Sequence, residues 1–138
     1  MTRWIDNTRN ARRAVHEDAQ RFAEAGAILV RDSIVLEMES YGPRSGELYT
    51  VPGTRTKYRA SADGEPPAIR EGAYRDSWQY TPAVRTEFGW SAFAFTDLMV
   101  GPYVLGELLN YGTSRMGPRP HVEPGIERAA QEMERLLE

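Results

Sequence analysis

LLNYGTSRMGPRPHVEP, running from Leu108 to Pro124, decides how the rest of the chain is read. An apolar run ends at Tyr111, Gly112 is free to take positive φ, and Thr113–Ser114 open a turn. Three prolines follow, Pro118, Pro120 and Pro124, each fixing φ at about −65° and removing a backbone donor. Each also disfavours helix at its predecessor, here Gly117, Arg119 and Glu123. The stretch predicts a stiff, extended strap between two helices, carrying Arg115, Met116, Arg119 and His121. It reads either as an ordinary inter-helix loop or as an assembly surface of fixed shape, with the arginines as its contacts. A second view of Arg119 is an internal tether to Glu123 or Glu127.

On either side of the strap the pattern is helical. Pro102 is placed to open a short helix, Tyr103 to Asn110, apolar at Val104, Leu105, Leu108 and Leu109. Pro124 sits where another helix starts, and Ile126, Ala129 or Ala130, Met133, and Leu136 or Leu137 stripe 124–138. Further upstream, Trp78–Phe88 and Trp90–Met99 predict antiparallel strands joined near Gly89, with Pro82 confining the first to an edge or a bulge. Ile69 to Ser77 reads as a short helix. Ser61–Ala68, SADGEPPA, reads as a linker too short to divide domains.

Pro52-Gly53 marks a type II turn between strands Glu47–Val51 and Thr54–Ala60, a hairpin over 45–60. Arg55, Lys57 and Arg59 alternate along it, predicting one basic face; that face is either solvated or set against DNA or an acidic neighbour. A two-stranded hairpin is marginal alone, so this one, with Tyr49 on its first strand, is expected to lean on a partner.

The chain opens on a long helix over 1–40, starting at Asn7 or Thr8 and ending near Glu39 before Tyr41-Gly42-Pro43. Val15, Ala19, Phe22, Gly26, Leu29, Ser33 and Leu36 form a continuous 4-3 stripe in which large and small residues alternate. Beyond Ala27 the apolar surface widens through Ile28, Val30, Ile34 and Val35, which predicts burial on more than one side. A coiled-coil homodimer is an alternative reading of the stripe. Taken together, 1–138 reads as a single α+β domain: long helix, β-hairpin, small antiparallel sheet, short helices and a C-terminal helix.

Composition narrows the function classes. A net charge of −3 gives no general attraction to nucleic acid. Sixteen of the seventeen basic residues are arginine, with Lys57 the exception, which suits paired hydrogen bonds to carboxylates. With no cysteine there is neither a disulfide framework nor a thiolate metal site. No apolar run reaches membrane-spanning length and no signal-peptide core is present, so an intracellular, soluble product is expected. His16 and His121 stand in no metal-ligand spacing, no phosphate-binding glycine loop occurs, and no nucleophile–base set stands out. The aromatics Trp78, Tyr80, Phe88, Trp90, Phe93 and Phe95 are expected to pack together in the sheet. No enzyme, cofactor or metal is expected.

Two blocks carry a resemblance. SGELYTVPG…YRASADGEPPAIREGAYRDSW, Ser45 to Trp78, and LLNYGTSRMGPRPHVEPGIE, Leu108 to Glu127, resemble the neck or tail-completion (head–tail joining) family of long-tailed bacteriophages. The family shows a Ser-Gly-x-x-Tyr strand, an Ala-Ser-x-x-Gly-Glu-Pro-Pro-Ala linker, a Gly-x-x-Arg-x-Ser helix and an aromatic-Gly-Thr-Ser-x-Met-x-x-Arg-Pro strap, in this order. The chain departs from the pattern at Asn110, where an acidic residue is usual, at His121 (Phe), at Tyr58 (His), and at Tyr103, a displaced tyrosine. The resemblance implies a structural virion protein, made in the host cytoplasm, that forms a homo-oligomeric ring, six-fold to match the tail tube. Such a ring joins connector proteins to the tail terminator or tube, with packaged DNA passing through its lumen without sequence-specific contact. Tyr49, Arg55, Lys57, Arg59, Arg115, Met116, Arg119 and His121 are the implied assembly residues. A small DNA-binding or DNA-processing protein using the Arg55/Lys57/Arg59 face is the alternative.

Overall fold

In a computed structural model that describes residues 8–138, the elements run α1 (Thr8–Ser40), β1 (Leu48–Thr50), β2 (Lys57–Arg59), α2 (Ala73–Asp76), β3 (Gln79–Tyr80), β4 (Val84–Thr86), β5 (Gly89–Ser91), β6 (Ala94–Phe95), β7 (Met99–Val100), β8 (Tyr103–Val104), α3 (Leu105–Tyr111) and α4 (Val122–Leu137). The fold is mixed α+β, as the sequence predicts. The expected start at Asn7 lies outside the described residues.

At 1.5 Å per residue α1 is a rod about 50 Å long. Among the described residues only its C-terminal half is enclosed. Ala27, Ile34 and Met38 are buried there, with α4 on one flank and the β3–β6 and β4–β5 ribbons on another. This two-sided cover follows from the widening of the apolar surface beyond Ala27. The two helices run antiparallel: Gly125 of α4 lies against the backbone of Ile34, and Gly26 of α1 against the Met133 side chain. The predicted alternation of large and small residues is used here, with the small Gly26 facing the Met133 side chain. Arg128 and Glu37 close the seam with an ion pair at 2.7 Å. The stripe is not continuous in use, however, because Val15 and Phe22 remain 67% and 50% exposed.

The sheet is built as four two-stranded ribbons. Tyr80 pairs with Ala94, Thr81 N–H donates to the Phe93 carbonyl at 2.8 Å, and Val84 pairs with Ser91. Pro82 and Ala83 therefore stand opposite Ala92 alone, a bulge placed where the missing proline donor costs no ladder bond. Two expected packing features differ. Phe88 and Phe93 point outward rather than into an aromatic cluster, while Trp78 and Trp90 are half-buried.

The short helices are also shorter than expected. Gly72 takes φ +85°, which breaks any helix begun at Ile69, so α2 starts only at Ala73. Gly101, at φ +57°, and Pro102 form a two-residue hairpin turn that pairs Met99 with Val104; Tyr103 is thus a strand residue and α3 begins at Leu105. In α4 the helix begins at Val122, two residues before the proline. Glu123 is helical despite preceding Pro124, which lies in the first turn, where no intrahelical donor is needed.

One residue without a sequence signal ties the start of the fold together. Arg44 donates to the carbonyls of Met38 (2.6 Å), Gly42 (2.7 Å), Pro66 (3.0 Å) and Pro67 (2.9 Å). Its guanidinium also stacks 5.1 Å from the centre of the Tyr41 ring. A single planar fork thereby caps the end of α1 and anchors the Pro-Pro linker to it. Burial lowers its pKa, against a smaller opposite pull from Glu65.

Candidate functional site

The stiff dipeptides of the linker and the strap are brought onto one another. Gly64 N–H donates to the Pro118 carbonyl at 2.9 Å, and Arg119 N–H to the Leu109 carbonyl at 2.7 Å. Arg119 Nε donates to Ser61 Oγ at 2.9 Å while its Nη1 reaches Asp63 and the Gly117 carbonyl. Gly117 leaves room at this crossing, since a Cβ there would overlap the Asp63 carboxylate and displace that exposed side chain. Gly112, at φ +79°, bends the chain so tightly that a Cβ would lie 2.7 Å from the Met116 carbonyl oxygen.

The linker is fixed from its other side by Glu65. The carboxylate accepts from Ser45 N–H at 3.1 Å, Ala62 N–H at 2.9 Å and the Ser45 hydroxyl. These bonds, led by the hydroxyl, pull its pKa down to about 2. A depressed folded value means the clamp contributes fully above the ordinary carboxylate range and is lost progressively as pH falls from there to about 2.

Behind the strap, His121 is 0% exposed and joins three elements. Its Nδ1–H donates to the Arg119 carbonyl at 2.7 Å, so the Tyr74 hydroxyl donates to a neutral Nε2. The ring sits edge-on between Tyr74 and Trp78, and burial lowers its pKa while raising that of Tyr74. Asn110 completes the junction: its Oδ1 accepts from His121 N–H (3.3 Å) and Val122 N–H (3.2 Å), capping α4, and its Nδ2 donates to Glu123 at 3.0 and 3.2 Å.

This geometry suits an amide, which accepts from two backbone N–H groups and donates to a carboxylate at the same time. Asn110→Asp would place two carboxylates within about 3 Å, which raises the pKa of the pair in the folded state. The expected outcome is a loss of about 1–3 kcal/mol near neutral pH. Because the folded pKa is raised, the deficit relative to the parent shrinks as pH drops below about 5. Urea titrations of both proteins across pH 4–8 measure it; a deficit independent of pH would show that charge is not the cause.

Of the expected assembly residues, Tyr49, Arg115, Met116 and Arg119 line one open cleft of about 1230 Å³, beneath the β1–β2 hairpin and beside the strap. Tyr49 packs against Tyr58 across the hairpin, ring centres 5.9 Å apart, and donates its hydroxyl to Glu47, which raises its pKa. Lys57 and Arg59 share one face of β2, with Arg59 held to the Gly46 carbonyl at 2.9 Å. Arg55 does not join them. The turn closes from Val51 O to Thr54 N–H with Gly53 at φ +76°, and Arg55 falls in the bend beyond it, before β2 begins at Lys57.

Two of the expected interface residues are engaged within their own chain. His121 is wholly interior, and the Arg119 side chain is 12% exposed and spent on its own chain. The tether runs to Ser61 and Asp63, not to Glu123 or Glu127. Arg119→Ala is therefore expected to cost about 1.5–3 kcal/mol, a melting point lower by roughly 5–10 °C, before any assembly step is tested. An unchanged thermal transition in the free protein would contradict the tether.

Arg44, Glu65, Asp63 and Asn110 are the residues that hold this region and that spacing alone did not single out. Their partners lie far away in sequence or are backbone carbonyls, which no residue pattern encodes. Among the described residues no group of three or more His, Asp or Glu could hold a metal ion, and no helix is long and apolar enough to cross a membrane. No family model, curated protein or solved structure matches this chain.

Proposed function

We propose that this chain is a structural protein of the phage neck, assembling as a homo-oligomeric ring that joins the capsid connector to the tail tube. The observation that supports this reading is that the two blocks bearing the resemblance, distant in sequence, form a single clasp through Gly64–Pro118 and Arg119–Asp63. Motifs that pack on each other describe a shared architecture better than two separate coincidences do.

The surface is consistent with life in an assembly. The chain exposes 10163 Å², whereas a compact monomer of 15.6 kDa exposes about 7,200 Å². Large apolar side chains stand outside on α1, the ribbons and α4, among them Val15, Phe22, Phe88, Phe93, Leu136 and Leu137. Stable obligate interfaces bury about 2,000–5,000 Å², a range that the excess falls within. Partners in this reading are further copies of the chain, the connector, and the tail terminator or tube.

Electron microscopy of the purified protein at high concentration, together with reconstruction of the neck of its particle, tests the reading. Closed rings between head and tail are expected. Isolated copies outside any ring would overturn it. Binding to duplex DNA with a steep salt slope would instead favour the basic residues Arg55, Lys57 and Arg59 as a phosphate-contacting surface.

A further inference from the structure

Two features of the surface stand apart within one chain: an exposed aromatic tip and an open cleft that the tip does not line. Phe88 stands at the tip of the β4–β5 ribbon and, at 93%, is the most exposed large apolar side chain described. The tip is stiff: Thr86 Oγ1 accepts from Phe88 N–H at 3.3 Å and donates to the Gly89 carbonyl at 3.1 Å. On another part of the surface lies the open cleft under the β1–β2 hairpin, with Tyr49, Tyr58, Ile69, Leu105, Leu109 and Met116 among its walls. Phe88 does not line it.

We propose that the Phe88 tip of one copy seats in the hairpin-side cleft of a second copy of this chain, with Glu87 of the tip paired to Arg115 on the cleft's rim. This rests on the ring reading and names the two surfaces that would build it. Size selects a protein segment as the occupant, because about 1230 Å³ exceeds the roughly 300–1,000 Å³ of ordinary small-molecule sites. Charge is complementary at the contact, Glu87 being acidic and Arg115 basic. Among the described residues neither Glu87 nor Arg115 has an ion-pair partner in its own chain. Rigidity favours the contact, since the Thr86 turn presets the knob while Glu65 and Arg119 preset the hole, so little freedom is lost on docking. A contact between two different surfaces of one chain is head-to-tail, and closes into a ring when the rotation per copy divides the circle.

The test is a charge reversal. Self-association is measured by sedimentation for the parent, Glu87→Arg, Arg115→Glu and the double variant, all changed at exposed positions. Each single variant is expected to weaken association by tenfold or more, and the double variant to restore it. Phe88→Ser is expected to weaken it about 30-fold, as for a buried aromatic anchor, with the thermal transition unmoved. The contact is overturned if the parent does not associate, if the single variants associate like the parent, or if the double variant fails to recover. Micrographs of the same samples separate the two ideas. Rings that survive all variants keep the neck reading and remove this contact; open filaments that depend on Phe88 and the Glu87–Arg115 pair keep the contact and remove the ring.

Discussion

Arg44→Ala lowers stability by about 2–4 kcal/mol, the largest loss expected from any single polar side chain here. Four carbonyl oxygens lose one shared donor: two at the end of α1, those of Met38 and Gly42, and two in the linker, those of Pro66 and Pro67. Pro66 and Pro67 are buried, and water reaches their carbonyls poorly once the guanidinium has gone. Arg44→Lys recovers only part, because an ammonium has three donors in a compact cone and cannot span a planar array of four acceptors. Denaturant unfolding of the three proteins measures the series. A loss below about 0.5 kcal/mol for alanine would place Arg44 among ordinary surface arginines.

The second large effect reverses a familiar sign. Gly→Ala in the interior of a helix normally stabilises by about 1 kcal/mol. At Gly125 a methyl group would lie 2.5 Å from Ile34 Cγ1 and 2.7 Å from Ile34 Cα. The side-chain contact can be relieved by a rotamer change; the contact with Cα requires the two helices to move apart. Gly125→Ala is therefore expected to destabilise by about 2 kcal/mol, and Gly125→Val by about 3 kcal/mol or more. Adding Ile34→Ala to Gly125→Ala should relieve only part of the strain. Full recovery in that double variant would mean that side-chain crowding, and not helix separation, sets the cost.

Periodic features of the chain were legible in its sequence and contingent ones were not. The long helix, its two-sided burial beyond Ala27, the Pro52-Gly53 turn and the Pro82 bulge each follow from local rules that act within a few residues. Boundaries failed where a glycine adopted a left-handed conformation with no pattern to announce it: Gly72 shortened α2, and Gly101 turned Tyr103 into a strand. Site residues divided the same way. Met116 and Arg115 lie on the cleft because the strap's shape follows from its prolines and glycines. Arg119 is tethered and His121 buried because their partners, Ser61, Asp63 and Tyr74, approach from segments whose position depends on the whole fold.

The seam between α1 and α4 also has a history in time. The face of α1 carrying Ala27, Ile34 and Met38 leaves the ribosome well before the segment that covers it, with roughly 80 residues between them. At about 5–20 residues per second that interval is on the order of ten seconds, far longer than an isolated helix takes to form. During it that face of α1 lacks α4, one of its two covers. Once α4 is made, the Gly125–Ile34 approach, which a Cβ would obstruct, favours the register that sets these two residues against each other.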